Sequence, residues 1–299
     1  MSLLNFFMQQ SKALLSLGGL CFLLISCHFF SSSFTSEEDP QKEESGTSGE
    51  PLLESYDLKT KADQLLFQKH TLETCQEALA LYQRAQELNP TFKGISWRKA
   101  RAFAFWYSHL PEDSSERKKI AQQGLLSAEE ALEELKTAEA HYYFALFTGY
   151  LAQETFAPDP EVAQTILKHG QEALELDPSF DYGGPHRLVG TLYLMAPPYP
   201  SVGDKSKAVS HLKLAVEEFP DSTENQLFLG EALFFRGMEL VEEEEILSAQ
   251  TYLLQAKKTL EQSSLCPVLP SRHHLQKSFQ EKALSLLKSI EESEILPKN

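Results

Sequence analysis

A four-point pattern of side-chain size recurs along this chain and leaves few folds open to it. Ala78, Tyr82, Ala85 and Pro90 stand at offsets 0, 4, 7 and 12, and Ile166, Gly170, Ala173 and Pro178, then Ala208, Leu212, Ala215 and Pro220, keep the same spacing. Gly124, Ala128 and Ala131, and later Ala249, Leu253 and Ala256, repeat it with Lys136 and Glu261 in place of the proline. The five starts lie 46, 42, 42 and 41 residues apart. Offsets 0, 4 and 7 share one face of a helix, where small side chains let a second helix approach closely. Proline after such a segment ends it, because it has no N–H to donate. Self-similarity at a period of about 40 residues marks stacked supersecondary units that bury a continuous core only together. From Tyr56 onward the remaining apolar residues also recur at helical spacing, and no alternating β-branched run competes with them.

The segments Gln83 to Pro90, Gly170 to Pro178 and Leu212 to Pro220 resemble the second helix of a tetratricopeptide repeat. Gly190 with Tyr193, and Leu229-Gly230 with Leu233, occupy the places where such repeats put a glycine and a large apolar residue in the first helix. The expected fold is all-α: a right-handed α-solenoid of about five tetratricopeptide-like helix pairs, closed by a polar-faced C-terminal capping helix from about residue 272 to 290. In the common repeat about twelve residues separate the first-helix glycine from the small residue of the second helix. Here Gly190 to Ala208 is 18 and Gly230 to Ala249 is 19, so longer loops or longer helices are expected.

Ahead of the repeats, Ala13 to Ile25 runs without a charge behind a single cation, Lys12, and ends in Leu24-Ile25-Ser26-Cys27. This stretch is too short for a spanning helix of about 20 residues and reads as a signal-peptide apolar segment. The tetrapeptide resembles a bacterial lipobox, which implies cleavage before Cys27 and acylation of that cysteine, with palmitate-type chains holding the protein on a bilayer. An uncleaved N-terminal anchor is the alternative. Residues 37 to 54 then carry seven acids against one lysine, the composition of a solvated tether. The expected organisation is a lipoprotein signal peptide at 1–26, a lipidated cysteine with an acidic tether at 27–54, and the repeat domain at 55–299.

Charge narrows the partners. With 43 Asp and Glu against 27 Lys and Arg the net charge is −16, which argues against a nucleic-acid partner, since a phosphate backbone demands a basic face. The four cysteines are too few to staple a chain of this size. Cys75 and Cys266 sit at opposite ends of the array and are expected unpaired.

Between the third and fourth starts the chain reads Asp181-Tyr182-Gly183-Gly184-Pro185-His186-Arg187, then Ala196-Pro197-Pro198-Tyr199-Pro200-Ser201-Val202-Gly203-Asp204. So many Gly, Pro and aromatic residues specify a conformation. Pro185 suits a first helical turn, and 196–200 must be extended. With the lipobox cysteine, the Gly-Gly-Pro-His-Arg opening, the Ala-Pro-Pro-Tyr-Pro loop and the Gly203-Asp204 turn resemble the T component associated with TRAP transporters, a family of periplasmic tetratricopeptide lipoproteins. The resemblance implies a scaffold for a periplasmic solute-binding protein, with an internal apolar channel for a hydrophobic small molecule. Gly183, Gly184, Pro185, His186, Arg187, Pro198, Tyr199 and Asp204 are then candidate partner- or ligand-binding residues. Architecture alone offers another reading, in which Arg187 pairs with Asp181 or Asp204 to pin the loop and Tyr199 plugs the groove between repeats.

Aromatic residues concentrate in the first helices of the second and third pairs, at Trp97, Phe103, Phe105, Trp106 and Tyr107 and then Tyr142, Tyr143, Phe144 and Phe147. Trp106 and Tyr143 are candidates for a channel wall, and packing between repeats is the competing use. No nucleophile, acid–base set, phosphate-cradling glycine loop or metal motif stands out, so neither enzymatic activity nor a cofactor is expected. His273-His274 reads as a solvated pair and Glu242 to Glu245 as a solvated charge run. The leading expectation is a lipid-anchored periplasmic repeat protein that binds the solute receptor of a TRAP-type transporter or another envelope protein. The alternative is an assembly scaffold lipoprotein for outer-membrane proteins or pili.

Overall fold

The structure, a computed structural model, describes residues 49–68, 71–155, 159–266 and 273–296. Cys27, the apolar segment before it and the tether as far as residue 48 lie outside the described residues. Eleven helices and no strand are found among the described residues. They form five antiparallel pairs: α1 (Gly49–Gln68) with α2 (Leu72–Leu88), α3 (Ile95–His109) with α4 (Arg117–Glu134), α5 (Ala138–Gln153) with α6 (Pro160–Leu176), α7 (Phe180–Met195) with α8 (Lys205–Glu218), and α9 (Thr223–Glu242) with α10 (Ile246–Leu265). A last helix, α11 (His273–Glu292), packs on α9 and α10 and covers the C-terminal end of the array. The expected α-solenoid of helix pairs with a capping helix is the observed architecture.

The small-residue register is the contact face. Ala78, Tyr82 and Ala85, Ala208, Leu212 and Ala215, and Ala249, Leu253 and Ala256 are all completely buried. Each first helix also touches the first helix of the next pair, α1 on α3, α3 on α5, α5 on α7 and α7 on α9, which places the first helices on the inner side of the curve. Helices α2, α6 and α8 end two residues before Pro90, Pro178 and Pro220. Helix α4 stops at the same register with Lys136 in the proline's place, and the Leu135 N–H closes it on the Ala131 carbonyl at 2.9 Å. Only α10, with Glu261 at that position, runs on to Leu265.

The glycines correct one element of the sequence reading. A Cβ at Gly190 would lie 2.7 Å from Leu212, and one at Gly237 would lie 2.9 Å from Leu253. Leu212 and Leu253 hold the same offset in α8 and α10, so Gly237, not Gly230, is the counterpart of Gly190. Gly230 instead receives Leu260, whose Cγ would stand 2.6 Å from an added Cβ. The extra length is thus a longer first helix in the fifth pair, where only 243–245 link α9 to α10, and a longer loop, 196–204, in the fourth.

A second difference lies at the N-terminus, where the helical body begins at Gly49 rather than residue 55. Residues 50 to 54 are exposed, so this first stretch presents no buried face from which a helical period could be read.

Ion pairs with one buried partner tie neighbouring repeats together. Arg101 on α3 donates to Asp63 on α1 at 2.6 Å and to the Tyr82 hydroxyl at 2.9 Å. Lys282 on α11 reaches Glu231 on α9 at 2.7 Å. Arg117 at the start of α4 meets Glu154 at the end of α5 at 3.0 Å and lies over the Tyr107 ring at 4.0 Å. Cys75 is free and buried, with burial pushing its thiol up to about 12, and Cys266 is also free.

Candidate functional site

The segment from Asp181 to Asp204 separates into a sealed brace and a displayed loop. Asp181, Tyr182 and Gly183 take left-handed backbone angles, with φ of 50°, 54° and 79°, so α7 turns sharply before its regular part begins near Gly184 and Pro185. Two non-glycine residues in that region cost of order 1–3 kcal/mol each unless the surroundings hold them. Arg187, one turn into the regular helix, does this. Its Nη2 donates to the Asp181 carboxylate at 2.6 Å and to the Asp181 carbonyl at 2.9 Å, while Nη1 donates to the Tyr182 carbonyl at 2.8 Å and to Asn225 Oδ1 at 2.9 Å. The Nε lies 3.5 Å from Glu224. Asn225 Nδ2 in turn donates to the carbonyls of Tyr182 and Ala215, and the Tyr142 hydroxyl reaches Asp181 at 3.4 Å.

Of the two pairings open to Arg187 from the sequence, the structure shows Asp181. Asp204 instead caps α8, accepting the Lys207 N–H at 3.0 Å. Gly183, Gly184 and Pro185 are buried with the brace. A Cβ on Gly183 would stand 3.2 Å from that of Ala215, and one on Gly184 would stand 3.1 Å from the Tyr142 ring. His186 is half-buried, with Nδ1 3.2 Å from Nδ1 of His211 on α8.

The loop from 196 to 204 is a different surface. Pro198 and Tyr199 face solvent, Tyr199 at 93% exposure, and the Tyr199–Pro200 bond is cis. The reading of Tyr199 as a plug between repeats is therefore corrected: a plug must bury its ring, and this ring is displayed. The loop itself is held, since Gly203 N–H donates to the Pro197 carbonyl at 2.8 Å, Ser201 N–H to Pro198 at 3.1 Å, and Asp204 N–H to Tyr193 on α7 at 2.8 Å.

Tyr143 does not line an open channel. Tyr143 is 1% exposed, stacked 6.4 Å from Trp97 and edge-on to Tyr142 and Phe180, so neighbouring rings fill the space a ligand would need. Trp106 is partly buried and packs on Phe103. Aromatic rings gain more by meeting at these angles than by facing an empty bore. A cleft of about 280 Å³ lies at the outer edge of the brace, lined by Tyr182, Glu218, Phe219, Pro220, Asp221 and Ser222.

The sequence reading missed Glu224 and Asn225, and it singled out Tyr142 only as one of the aromatic residues, not as a partner of Asp181. Glu224 and Glu231 had a signal: two carboxylates seven residues apart share a face of α9, and both are buried, at 0% and 1% exposure. Among the described residues no group of three or more His, Cys, Asp or Glu side chains is placed to hold a metal ion, and no helix is long and apolar enough to cross a membrane. The side chains of His273 and His274 lie outside the described residues.

Comparison with known proteins bears first on the repeats. The family model described as regulator of microtubule dynamics protein 1-3 matches residues 58–182, from α1 to the left-handed turn of α7. The segment most specific to the TRAP T-component resemblance, residues 181 to 220, overlaps that match only at 181 and 182. No curated protein sequence matches the chain. Among solved structures the chain is similar to TTC0263, a thermophilic TPR protein of Thermus thermophilus, at 16% identity and a TM-score of 0.51, covering 78% of this chain and 99% of that one. It is also similar to MamA protein, at 14% identity and a TM-score of 0.44 over 74% of this chain and 96% of that one. The first of these structures establishes the fold, a tetratricopeptide-like helical repeat.

Proposed function

We propose that this chain is a non-enzymatic, lipid-anchored scaffold that captures another protein of a bacterial envelope through the 196–204 loop. The carrying observation is Tyr199: a large aromatic side chain at 93% exposure, on a loop whose backbone is fastened to α7. A rigid, amphipathic ring loses little conformational freedom on docking, which is why tyrosine is enriched among interface anchors. Stacked helical repeats supply such surfaces as a class. The partner is a periplasmic protein, the solute receptor of a TRAP-type transporter, and Cys27 carries the acyl chains that keep the scaffold on the membrane, facing the periplasm. That identification rests on the lipobox and on the Gly-Gly-Pro-His-Arg and Ala-Pro-Pro-Tyr-Pro segments.

The test is a pull-down from native envelopes with the acylated protein, beside Cys27→Ala and Tyr199→Ala variants, read by mass spectrometry. Recovery of a solute receptor or transporter subunit, reduced at least tenfold by Tyr199→Ala, is the expected result. Recovery of barrel-assembly or pilus components instead makes the chain an assembly scaffold and overturns the transport reading.

A further inference from the structure

Two histidine pairs stand at matching places in consecutive repeats. His169 is at offset 3 of its second helix and His211 is at offset 3 of the next. His169 on α6 faces His141 on α5 with the two Nδ1 atoms 3.1 Å apart, and His211 on α8 faces His186 on α7 with theirs 3.2 Å apart. Each second-helix ring is also held by an aromatic ring of the first helix. Phe144 lies 4.2 Å from His169 and Tyr193 lies 5.6 Å from His211, centroid to centroid. Four of the chain's nine histidines are thus arranged as two pre-oriented couples, one bridging each helix pair.

From this geometry we infer that each couple is a two-histidine chelate for a divalent transition ion, zinc being the probe. Two nitrogens bound to one zinc at 2.0–2.1 Å lie about 3.3–3.4 Å apart across a tetrahedral angle and about 2.9 Å apart across a right angle. The separations of 3.1 and 3.2 Å fall inside that interval. An ion would enter between the two Nδ1 atoms, and the ring that now donates its Nδ1 proton would take the Nε2–H tautomer by exchange with solvent, so both rings stay neutral and both Nδ1 lone pairs face the ion. Burial already favours the neutral rings, and it lowers all four histidines from their usual range. Imidazole donors suit zinc, copper(II) and nickel(II), and the hard cations calcium and magnesium are excluded by the absence of oxygen donors from the chelate. Two protein ligands leave coordination positions for water. Because each couple spans a helix pair, a bound ion would staple α5 to α6 and α7 to α8.

Zinc titration of the full chain by calorimetry tests this. The expected stoichiometry is two equivalents, falling to one in His169→Gln or His211→Gln and to none in the double variant. His141→Gln and His186→Gln should each reproduce the loss seen with their partner. Zinc binding that is absent from the unmutated chain, or unchanged in all of these variants, overturns the proposal. Anomalous diffraction at the zinc edge from crystals of the unmutated chain needs no variant. Density between the paired Nδ1 atoms supports the chelates, and zinc held only elsewhere, as at His273 and His274, rejects them.

Discussion

Arg187 Nη2 lies 2.6 Å from Asp181 Oδ2, and both side chains are sealed from solvent at 2% and 1% exposure. The pair closes a left-handed turn that two non-glycine residues would not hold alone. Removing the guanidinium takes the balancing positive charge from two buried carboxylates, Asp181 and Glu224, and a donor from each of the Asp181 and Tyr182 carbonyls, of which the second keeps Asn225. Arg187→Met should therefore cost about 3–5 kcal/mol, the usual penalty for breaking a buried pair from one side. Urea denaturation checks it, and a loss below about 0.5 kcal/mol, the scale of an ordinary surface change, would show that the turn stands without its brace.

Asp63 makes part of the fold's stability depend on acid. Burial by itself would raise its carboxyl, but Arg101 and Arg98, the Tyr82 hydroxyl and Lys59 outweigh that and lower it from 3.8 to about 2. The depressed value means the folded protein binds this proton less readily than the unfolded chain. Its stabilisation is thus present above about pH 4 and lost as pH falls toward 2, with an upper bound of about 2 kcal/mol. Stability measured from pH 5 to pH 2 should fall less steeply in Asp63→Asn, which starts less stable at pH 5. Identical slopes would mean that other carboxylates set the acid limit.

Gly203 is where the displayed loop folds back on itself. A Cβ there would overlap the carbonyl oxygens of Ala196 and Pro197, standing 2.6 Å from the second. Both are backbone atoms and cannot swing aside, so Gly203→Ala must open the loop and break the Gly203 N–H bond to Pro197. The helices on either side keep their own bonds. Limited proteolysis should therefore show new cutting at 196–204 several-fold faster than in the unmutated chain, with helix content by circular dichroism unchanged. Equal cutting rates would mean the loop tolerates the extra carbon.

The repeat was legible because its signal is local. Ala78, Tyr82 and Ala85 announce a contact face by size and spacing alone, whichever helix they meet. The paired segment from Gly183 to Arg187 also declared an unusual conformation, because Gly and Pro restrict the backbone without help from elsewhere. What Arg187 touches was only half legible: Asp181 is six residues away, whereas Glu224 and Asn225 arrive from the next repeat once the array is assembled. Tyr199 misled for the opposite reason. A tyrosine among prolines resembles a packing residue, and only the course of the loop shows that its ring has no groove to enter. Gly230 and Gly237 both suit a close helix approach, so choosing between them required knowing which leucine each receives.

Proline at offset 12 is a further case in which the same residue type means different things in two repeats. Helix α4 ends at Glu134, and Leu135, just before Lys136, is extended with φ of −157° and ψ of 132°. That is the region a residue preceding proline prefers. Lys136→Pro should therefore change stability by less than about 0.5 kcal/mol. Glu261 occupies the equivalent offset in α10 but lies inside a helix that continues to Leu265. There a proline removes the bond to Lys257 and crowds that carbonyl, at a cost of about 3 kcal/mol. The loss extends further, because the last turn carries Ser263, whose hydroxyl donates to the Thr223 carbonyl at 3.0 Å and ties α10 to the start of α9. Urea denaturation of the two variants side by side should separate them by several-fold in free energy. Equal effects would mean that α10 stops at the common register in solution and that its extra turn is not part of the stable helix.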